Sequence, residues 1–304
     1  MTLAVDAGEA RFVAVDWGTT RVRASLVGRD GVVLDRMQSD LGVQSVPAGG
    51  FPEALGAACA PWFEAHSDLP VLMAGMVGSR NGWVEAPYLH CPCGPREAAR
   101  SLTAIPGLGR EVLLVPGVDI RGIDGDYDVM RGEETQAFGA GEDDGLLCLP
   151  GTHSKWVEMR DGRIARFVTF ITGELYAALS SSFVARLAEG PDDAAAGALE
   201  AARALRGGGG LTRALFQART RVLGGEMAPQ AVRPLLSHLL VEAELDGATA
   251  LFGNIGRLRL VAGEPQLGLY RSALGARGCA VEAIDPATAM LAGLDRIMAA
   301  RDGT

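Results

Sequence analysis

A unit of strand, glycine-threonine turn, strand, Asp-Gly turn and strand occurs twice in this chain, about half its length apart, and this repetition limits the folds open to it. In the first copy the apolar run Phe12 to Val15 ends at Asp16-Trp17-Gly18-Thr19-Thr20. Val22, Ala24 and Leu26 then alternate with Arg21, Arg23 and Ser25, the period-2 pattern of a half-buried strand. Asp30-Gly31 turns the chain, and Val32 to Met37 returns as a third strand. In the second copy Leu146 to Leu149 runs into Pro150-Gly151-Thr152-His153-Ser154, Lys155 to Met159 leads out, Asp161-Gly162 turns, and Arg163 to Ile171 returns. Two domains of one topology are expected, 1–143 and 144–304, meeting at the acidic stretch Gly141-Glu142-Asp143-Asp144.

With 304 residues, 48% of them hydrophobic, the chain can supply two cores and so a cleft between two lobes. The remaining elements alternate as in α/β proteins. Val71 to Met76 and Glu111 to Val115 read as buried strands, and Val129 to Ala140 as one helix joining the halves. Leu175, Leu179, Phe183 and Leu187 mark an apolar helix face expected to pack in the core. Ala194 to Leu205 is another helical run, broken by Gly207 to Gly210, a connector and not a phosphate loop because no Lys-Ser/Thr follows it. Strand Arg257 to Val261, helix Pro265 to Leu274, strand Ala280 to Ile284 and helix Pro286 to Ala300 close the second half.

Composition excludes several classes of function. A net charge of -9 disfavours nucleic acid as a partner and means that an anionic substrate needs local arginines. No apolar stretch approaches the roughly 20 residues needed to span a bilayer. Met1 to Ala10 lacks the basic start and apolar core of a signal peptide, so a cytoplasmic location is expected. The five cysteines are an odd number and are expected to be reduced. His90, Cys91 and Cys93 lie close together, but no second pair completes a four-ligand zinc site, and a proline-stiffened loop is the preferred reading. Self-association is left open.

The two turns carry the chemistry. A Gly-Thr turn between strands presents backbone N–H groups and hydroxyls to an anion with no bulky side chain in the way. Two such turns facing each other would clamp a polyphosphate, whereas either alone also suits a plain β-turn. Asp16, just before the first, is placed to hold Mg²⁺, commonly through water, because hard cations prefer carboxylate oxygens.

Val13-Ala14-Val15-Asp16-Trp17-Gly18-Thr19-Thr20 resembles the first phosphate motif of the sugar-kinase, heat-shock-protein and actin superfamily. Leu149-Pro150-Gly151-Thr152-His153-Ser154-Lys155-Trp156 resembles the second, and Leu260-Val261-Ala262-Gly263 the adenosine-binding strand end, with Ala-Gly in place of the usual Gly-Gly. Within that superfamily the chain most resembles the 2-dehydro-3-deoxygalactonokinase family, through Met73-Ala74-Gly75-Met76-Val77-Gly78-Ser79-Arg80-Asn81-Gly82-Trp83, Val129-Met130-Arg131-Gly132-Glu133-Glu134-Thr135-Gln136 and Thr172-Gly173-Glu174. The resemblance implies an α/β fold of two ribonuclease-H-like domains, the actin-like ATPase fold, with an interdomain cleft. It also implies transfer of the γ-phosphoryl of ATP to the 6-hydroxyl of 2-dehydro-3-deoxy-D-galactonate in galactonate catabolism, under lobes that close and exclude water.

The same resemblance assigns roles. Gly18, Thr19, Thr20, Gly151, Thr152, His153, Ser154 and Lys155 would bind the ATP phosphates, His153 and Lys155 lending positive charge. Gly263 would meet adenosine, and Asp16 would serve catalysis and the metal. Glu133 would be the base that takes the proton of the attacking hydroxyl, with Glu134 as rival, or both acids would merely favour a helix N-terminus. Ser79, Arg80 and Trp83 would meet the substrate, Arg80 through its carboxylate and Trp83 over an apolar sugar face. Arg80 and Trp83 read equally well as surface or packing residues, and Arg21 and Arg23 as a solvated face. His66, His90 and His238 are read as structural. A kinase for another sugar or sugar acid stays open, as does an actin- or chaperone-like ATPase switch.

Overall fold

The structure, a computed structural model, describes residues 9–121, 126–141, 143–182, 197–207 and 209–303. Within them the chain forms two compact units. One holds the chain up to Gly145 with Val157–Phe167 and the stretch from Asp285 onward; the other holds Leu146–Trp156 and Val168–Ile284.

In the first unit the elements in chain order are β1 (Ala10–Trp17), β2 (Val22–Gly28), β3 (Val33–Ser39), α1 (Phe51–Ala65), β4 (Val71–Ala74), β5 (Tyr88–His90), α2 (Pro95–Arg100), β6 (Thr103–Ala104), β7 (Val112–Leu114), β8 (Gly117–Arg121), β9 (Tyr127–Met130) and α3 (Glu133–Gly139). Six strands form one sheet in the order β3-β2-β1-β4-β7-β6, and β5-β8-β9 form a small second sheet. The central β1 is apolar on both faces, as a strand covered on both sides must be, and Phe12, Val13, Val15 and Trp17 are fully buried. It runs antiparallel to β2 and parallel to β4. Trp17, Phe51, Leu55, Trp62, Met73 and Leu114 pack together in the core of this unit.

The single helix expected over Val129 to Ala140 is corrected. Val129 and Met130 belong to β9, paired with Asp119 and Val118. Gly132, at φ 108°, then breaks the path, so the helix covers only Glu133–Gly139. Apolar residues and helix formers hid a strand, a turn and a short helix.

The second half continues with β10 (Gly145–Leu149), β11 (Ser154–Arg160), β12 (Arg163–Phe170), α4 (Thr172–Ser180), α5 (Ala198–Arg206), α6 (Gly210–Leu223), α7 (Val232–Phe252), β13 (Arg257–Val261), α8 (Gln266–Gly275), β14 (Ala280–Ile284) and α9 (Pro286–Asp302). Its sheet has the order β12-β11-β10-β13-β14, with β13 parallel to both β10 and β14. The duplicated sequence unit thus becomes a duplicated topology: in both sheets three consecutive strands lie beside parallel strands added outward from the first. Asp161 and Gly162 both have positive φ, 51° and 68°, the mirror turn that matches the twist of a hairpin.

Three further differences from the sequence reading matter. The apolar stripe expected to be core begins on α4, but no residue of that helix is buried, and Phe183 and Leu187 lie outside the described residues, as do Glu142, Ala194 and Gly208. Helices α6 and α7 were not anticipated; α7 buries Leu235, Leu236, Leu239 and Leu245. The closing helix α9, expected with residues 144–304, packs on α3 in the first unit. There a Cβ on Gly139 would lie 1.8 Å from the Ala289 carbonyl oxygen, and one on Gly293 would lie 1.8 Å from that of Thr135. Only glycine at both positions lets the two helices approach so closely. Among the described residues no helix is long and apolar enough to cross a membrane.

Candidate active site

Strand register sets the first carboxylate. Asp16 on β1 lies opposite Arg23 on β2, and the cross-strand pair closes as a hydrogen bond from Arg23 Nη1 to Asp16 Oδ2 of 3.1 Å. Burial raises the Asp16 pKa above the ordinary carboxylate range, and the Arg23 guanidinium pulls it back in part. With Gly18, Thr20, Arg21, Arg23 and Asp40, Asp16 lines an open cleft of about 480 Å³. Arg21 Nε donates to Asp40 Oδ1 at 3.2 Å, so Arg21, just before β2, and Arg23 within it are both held by carboxylates that line this cleft.

The turn after Asp16 is fixed through its carbonyls. Gly18 N–H donates to the Arg21 oxygen at 2.9 Å, while Val43 and Gln44 donate to the oxygens of Gly18 and Thr19 at 3.0 and 3.2 Å. Among the described residues the amides of Thr19 and Thr20 have no protein acceptor. A turn whose carbonyls are engaged and whose amides are open is electrically suited to an anion.

One further strand end approaches Asp16, and another lies against that end. Gly75, just past β4, has φ 98°, and a Cβ there would lie 2.9 Å from the Trp17 oxygen and 3.6 Å from Asp16 Oδ1. Gly132, just before α3, lies against it, since a Cβ on Gly132 would be 3.4 Å from Gly75 Cα. Two residues without side chains therefore bring the start of α3 beside Asp16. Glu133 and Glu134 follow directly but differ. Glu134 is 1% exposed; its Oε2 accepts from Gly132 N–H at 2.6 Å and its Oε1 from Thr135 Oγ1 at 2.8 Å. Burial, then the neighbouring Glu133, lifts its pKa to about 7 against the pull of these hydrogen bonds. Glu133 is half-buried, and its Oε2 accepts from Arg131 N–H at 3.2 Å.

The expected substrate residues part company. Trp83 stacks on Phe51 at 5.9 Å and 11° and meets Trp17 edge-on at 6.4 Å, so one face of its ring is already covered. Ser79 Oγ donates to the Met76 oxygen at 2.7 Å. Arg80 is 85% exposed, with Glu85 3.7 Å away. His90 bonds Asp119 at 2.9 Å, while Cys91 and Cys93 are buried, as are all the cysteines.

In the second unit the turn at Gly151 to His153 is exposed, and Ser154 and Lys155 behind it are buried. Thr172-Gly173-Glu174 braces it: Glu174 N–H donates to the Thr152 oxygen at 2.9 Å, and His153 Nε2 and Glu174 Oε2 are 2.6 Å apart. The amides of Thr152 and His153 have no protein acceptor among the described residues, the same polarity as in the first turn. The Ser154 hydroxyl is turned inward, 3.0 Å from Tyr270 Oη. Tyr270 donates on to Glu244 Oε2 at 2.7 Å, where Thr172 Oγ1 also donates, and Trp156 Nε1 donates to Glu244 Oε1 at 2.8 Å. Glu244, 2% exposed, thus ties the turn, α4 and α8 to α7; burial raises its pKa and these donors oppose the rise.

Beside this network lies a cavity of about 540 Å³, within the range of small-molecule sites. It is lined by Gly151, Thr172 and Gly173, by Pro234, His238 and Val241 of α7, and by Pro265, Gln266 and Leu269. Gly263 leads into this loop, and a Cβ there would meet nothing within 4 Å. The sequence marks Thr172-Gly173-Glu174 as a matching run but not as a brace, and no motif announces α7; the run Leu235, Leu236, Leu239, Leu240 is its signal of a buried helix.

The profile of the 2-keto-3-deoxy-galactonokinase family matches residues 16–297. A Rhizobium meliloti (strain 1021) protein described as a 2-dehydro-3-deoxygalactonokinase is 39% identical over 295 residues, covering 93% of this chain and 95% of its own. The Escherichia coli (strain K12) 2-dehydro-3-deoxygalactonokinase is 35% identical over 292 residues, covering 95% and 97%. A crystal structure of a Sinorhizobium meliloti protein given the same enzyme name superposes with a TM-score of 0.87 at 35% identity, over 94% of this chain and 97% of that one. The activator of 2-hydroxyisocaproyl-CoA dehydratase from Clostridium difficile, solved with bound ADPNP, shares the fold at a TM-score of 0.51 and 10% identity, over 96% of each chain. With the duplicated sheets and paired turns described above, these matches make the chain a member of the 2-keto-3-deoxy-galactonokinase family, built on the fold of sugar kinases and actin-like ATPases.

Proposed function

We propose that this protein transfers the γ-phosphoryl group of ATP to the 6-hydroxyl of 2-dehydro-3-deoxy-D-galactonate, giving the 6-phospho acid in galactonate catabolism. The observation that carries the reading is the family match over residues 16–297, whose matched span includes the approach of Gly75 to Asp16 and of Gly132, which precedes Glu133, to Gly75. Phosphoryl transfer asks mainly for positioning and charge neutralisation, and the residues divide accordingly. The open amides of Thr19, Thr20, Thr152 and His153 receive phosphate oxygens. Glu133 takes the proton of the attacking hydroxyl, because the oxygens of Glu134 are occupied by Gly132 and Thr135 inside the fold. Arg80, exposed and long, reaches the substrate carboxylate, while Trp83, packed on Phe51, holds the loop that presents it.

Asp16 suits Mg²⁺ in this scheme. Among the described residues no cluster of three or more His, Cys, Asp or Glu side chains could hold an ion alone, so phosphate oxygens and water would complete its shell. When bound, the ion would neutralise charge on the transferring phosphoryl group. A cytoplasmic location accompanies the reading, since that is where ATP is supplied.

The test is ADP production with 2-dehydro-3-deoxy-D-galactonate, compared with its gluconate epimer and with other aldonic and ketodeoxy acids. Turnover greatest with the galactonate compound supports the proposal. ATP left unconsumed with every ketodeoxy acid would return the chain to the ATPase-switch reading.

A further inference from the structure

Among the described residues that line the cavity of the second unit, His238 presents a ring nitrogen whose role as an acceptor is fixed by the fold. His238 lies on α7 one turn after Pro234, and its Nδ1 is 2.9 Å from the Pro234 carbonyl oxygen. A carbonyl can only accept, so Nδ1 carries the proton, and in the neutral ring Nε2 on the opposite edge is left as an acceptor. No residue among those described donates to Nε2. The half-buried ring lines the cavity with Pro234 and Val241 of its own helix and Leu269 of α8, walls suited to a flat apolar base. Gln266 and Ser237 impose no such choice, since the amide can offer either its oxygen or its nitrogen and the hydroxyl can rotate, while the hydroxyls of Thr172 and Tyr270 donate their protons to Glu244.

We propose that His238 selects the base of the phosphoryl donor, its Nε2 accepting a hydrogen bond from the 6-amino group of adenine and turning away 6-oxo purines, which bring a second acceptor to the same place. This rests on the kinase reading for its biological sense, but it is a statement about the cavity and can be tested apart from phosphoryl transfer. A site that leaves its acceptor unpaired against the wrong base discriminates by roughly 10-fold or more.

The test compares ATP with ITP, which differ at purine position 6, in the wild type and in His238→Leu, which keeps bulk and removes the acceptor. The expected wild-type ratio of kcat/KM, ATP over ITP, is roughly 10 to 100, falling to about 3 or less in the variant. The change should sit in the nucleotide KM, with the KM of the sugar acid unmoved. A wild-type ratio near 1, or a wild-type ratio preserved in the variant, overturns the proposal. Calorimetric binding of ADP and IDP to the wild type needs neither a folded variant nor turnover: tighter ADP supports the assignment, and equal affinities overturn it. If no sugar acid is phosphorylated while ADP still outbinds IDP, the kinase reading fails and His238 keeps its role.

Discussion

Replacing Glu134 by Gln separates the two acids at the start of α3. In the wild type the fold holds this carboxyl away from water and beside Glu133, lifting its pKa from an ordinary 4.5 to about 7. The protonated form is therefore the one the fold favours. Its contribution to stability is fully present below pH 4.5, where Glu134 is protonated whether the chain is folded or not, and is lost as pH rises through 7. The whole rise corresponds to about 3 kcal/mol. Glutamine keeps the shape: its oxygen can accept from Gly132 N–H, now 2.6 Å from Oε2, and its amide can donate to Thr135 Oγ1, which is 2.8 Å from Oε1 and free to reverse its own role. Denaturant titrations of wild type and variant across about pH 5 to 9 should show the variant gaining up to about 3 kcal/mol relative to wild type toward the alkaline end. Turnover in the variant should stay within a few-fold of wild type, whereas Glu133→Gln should lose roughly 100-fold to 10,000-fold, the usual worth of a positioned base. Equal losses of turnover in the two variants, or a stability difference that does not change with pH, would refute the division of labour.

Three other outcomes follow from the same geometry. Asp16→Asn, placed opposite Arg23, should lower kcat/KM roughly 100-fold or more and weaken its dependence on Mg²⁺, read by metal titration of the ADP-coupled assay. Gly293→Ala puts a methyl group 1.8 Å from the Thr135 oxygen and should cost about 1–3 kcal/mol, lowering Tm, and lower kcat as α3 is pushed off α9. Tyr270→Phe removes the hydroxyl between Ser154 and Glu244 and should cost about 1–3 kcal/mol, with the KM for ATP raised and that for the sugar acid unchanged in steady-state kinetics.

The parts legible in the sequence are those set by short-range rules. Alternation along Val22, Ala24 and Leu26, the Asp-Gly turns and the apolar run before Asp16 each specify local backbone, and their repetition gave two sheets of one order. What was hidden depends on contacts between distant segments. The packing of α9 against α3 rests on the opposed Gly139 and Gly293, which read in isolation as weak points in helices. Glu133 and Glu134 are chemically identical neighbours, and only the fold decides that one is buried with both oxygens engaged. Ser154 and Lys155 stand in a phosphate motif yet are buried, because the turn ends at His153 and β11 begins at Ser154. His238 has no motif around it, and its Pro234 partner, four residues back, acts through a carbonyl that any residue would supply.

The most direct measurement follows the phosphorus itself: ATP is incubated with the protein and 2-dehydro-3-deoxy-D-galactonate, and the product is examined by ³¹P and ¹³C NMR. A phosphate monoester signal coupled to carbon 6 of the acid, formed in step with ADP, is the predicted result. Inorganic phosphate appearing with ADP while the sugar acid stays unmodified would contradict the account.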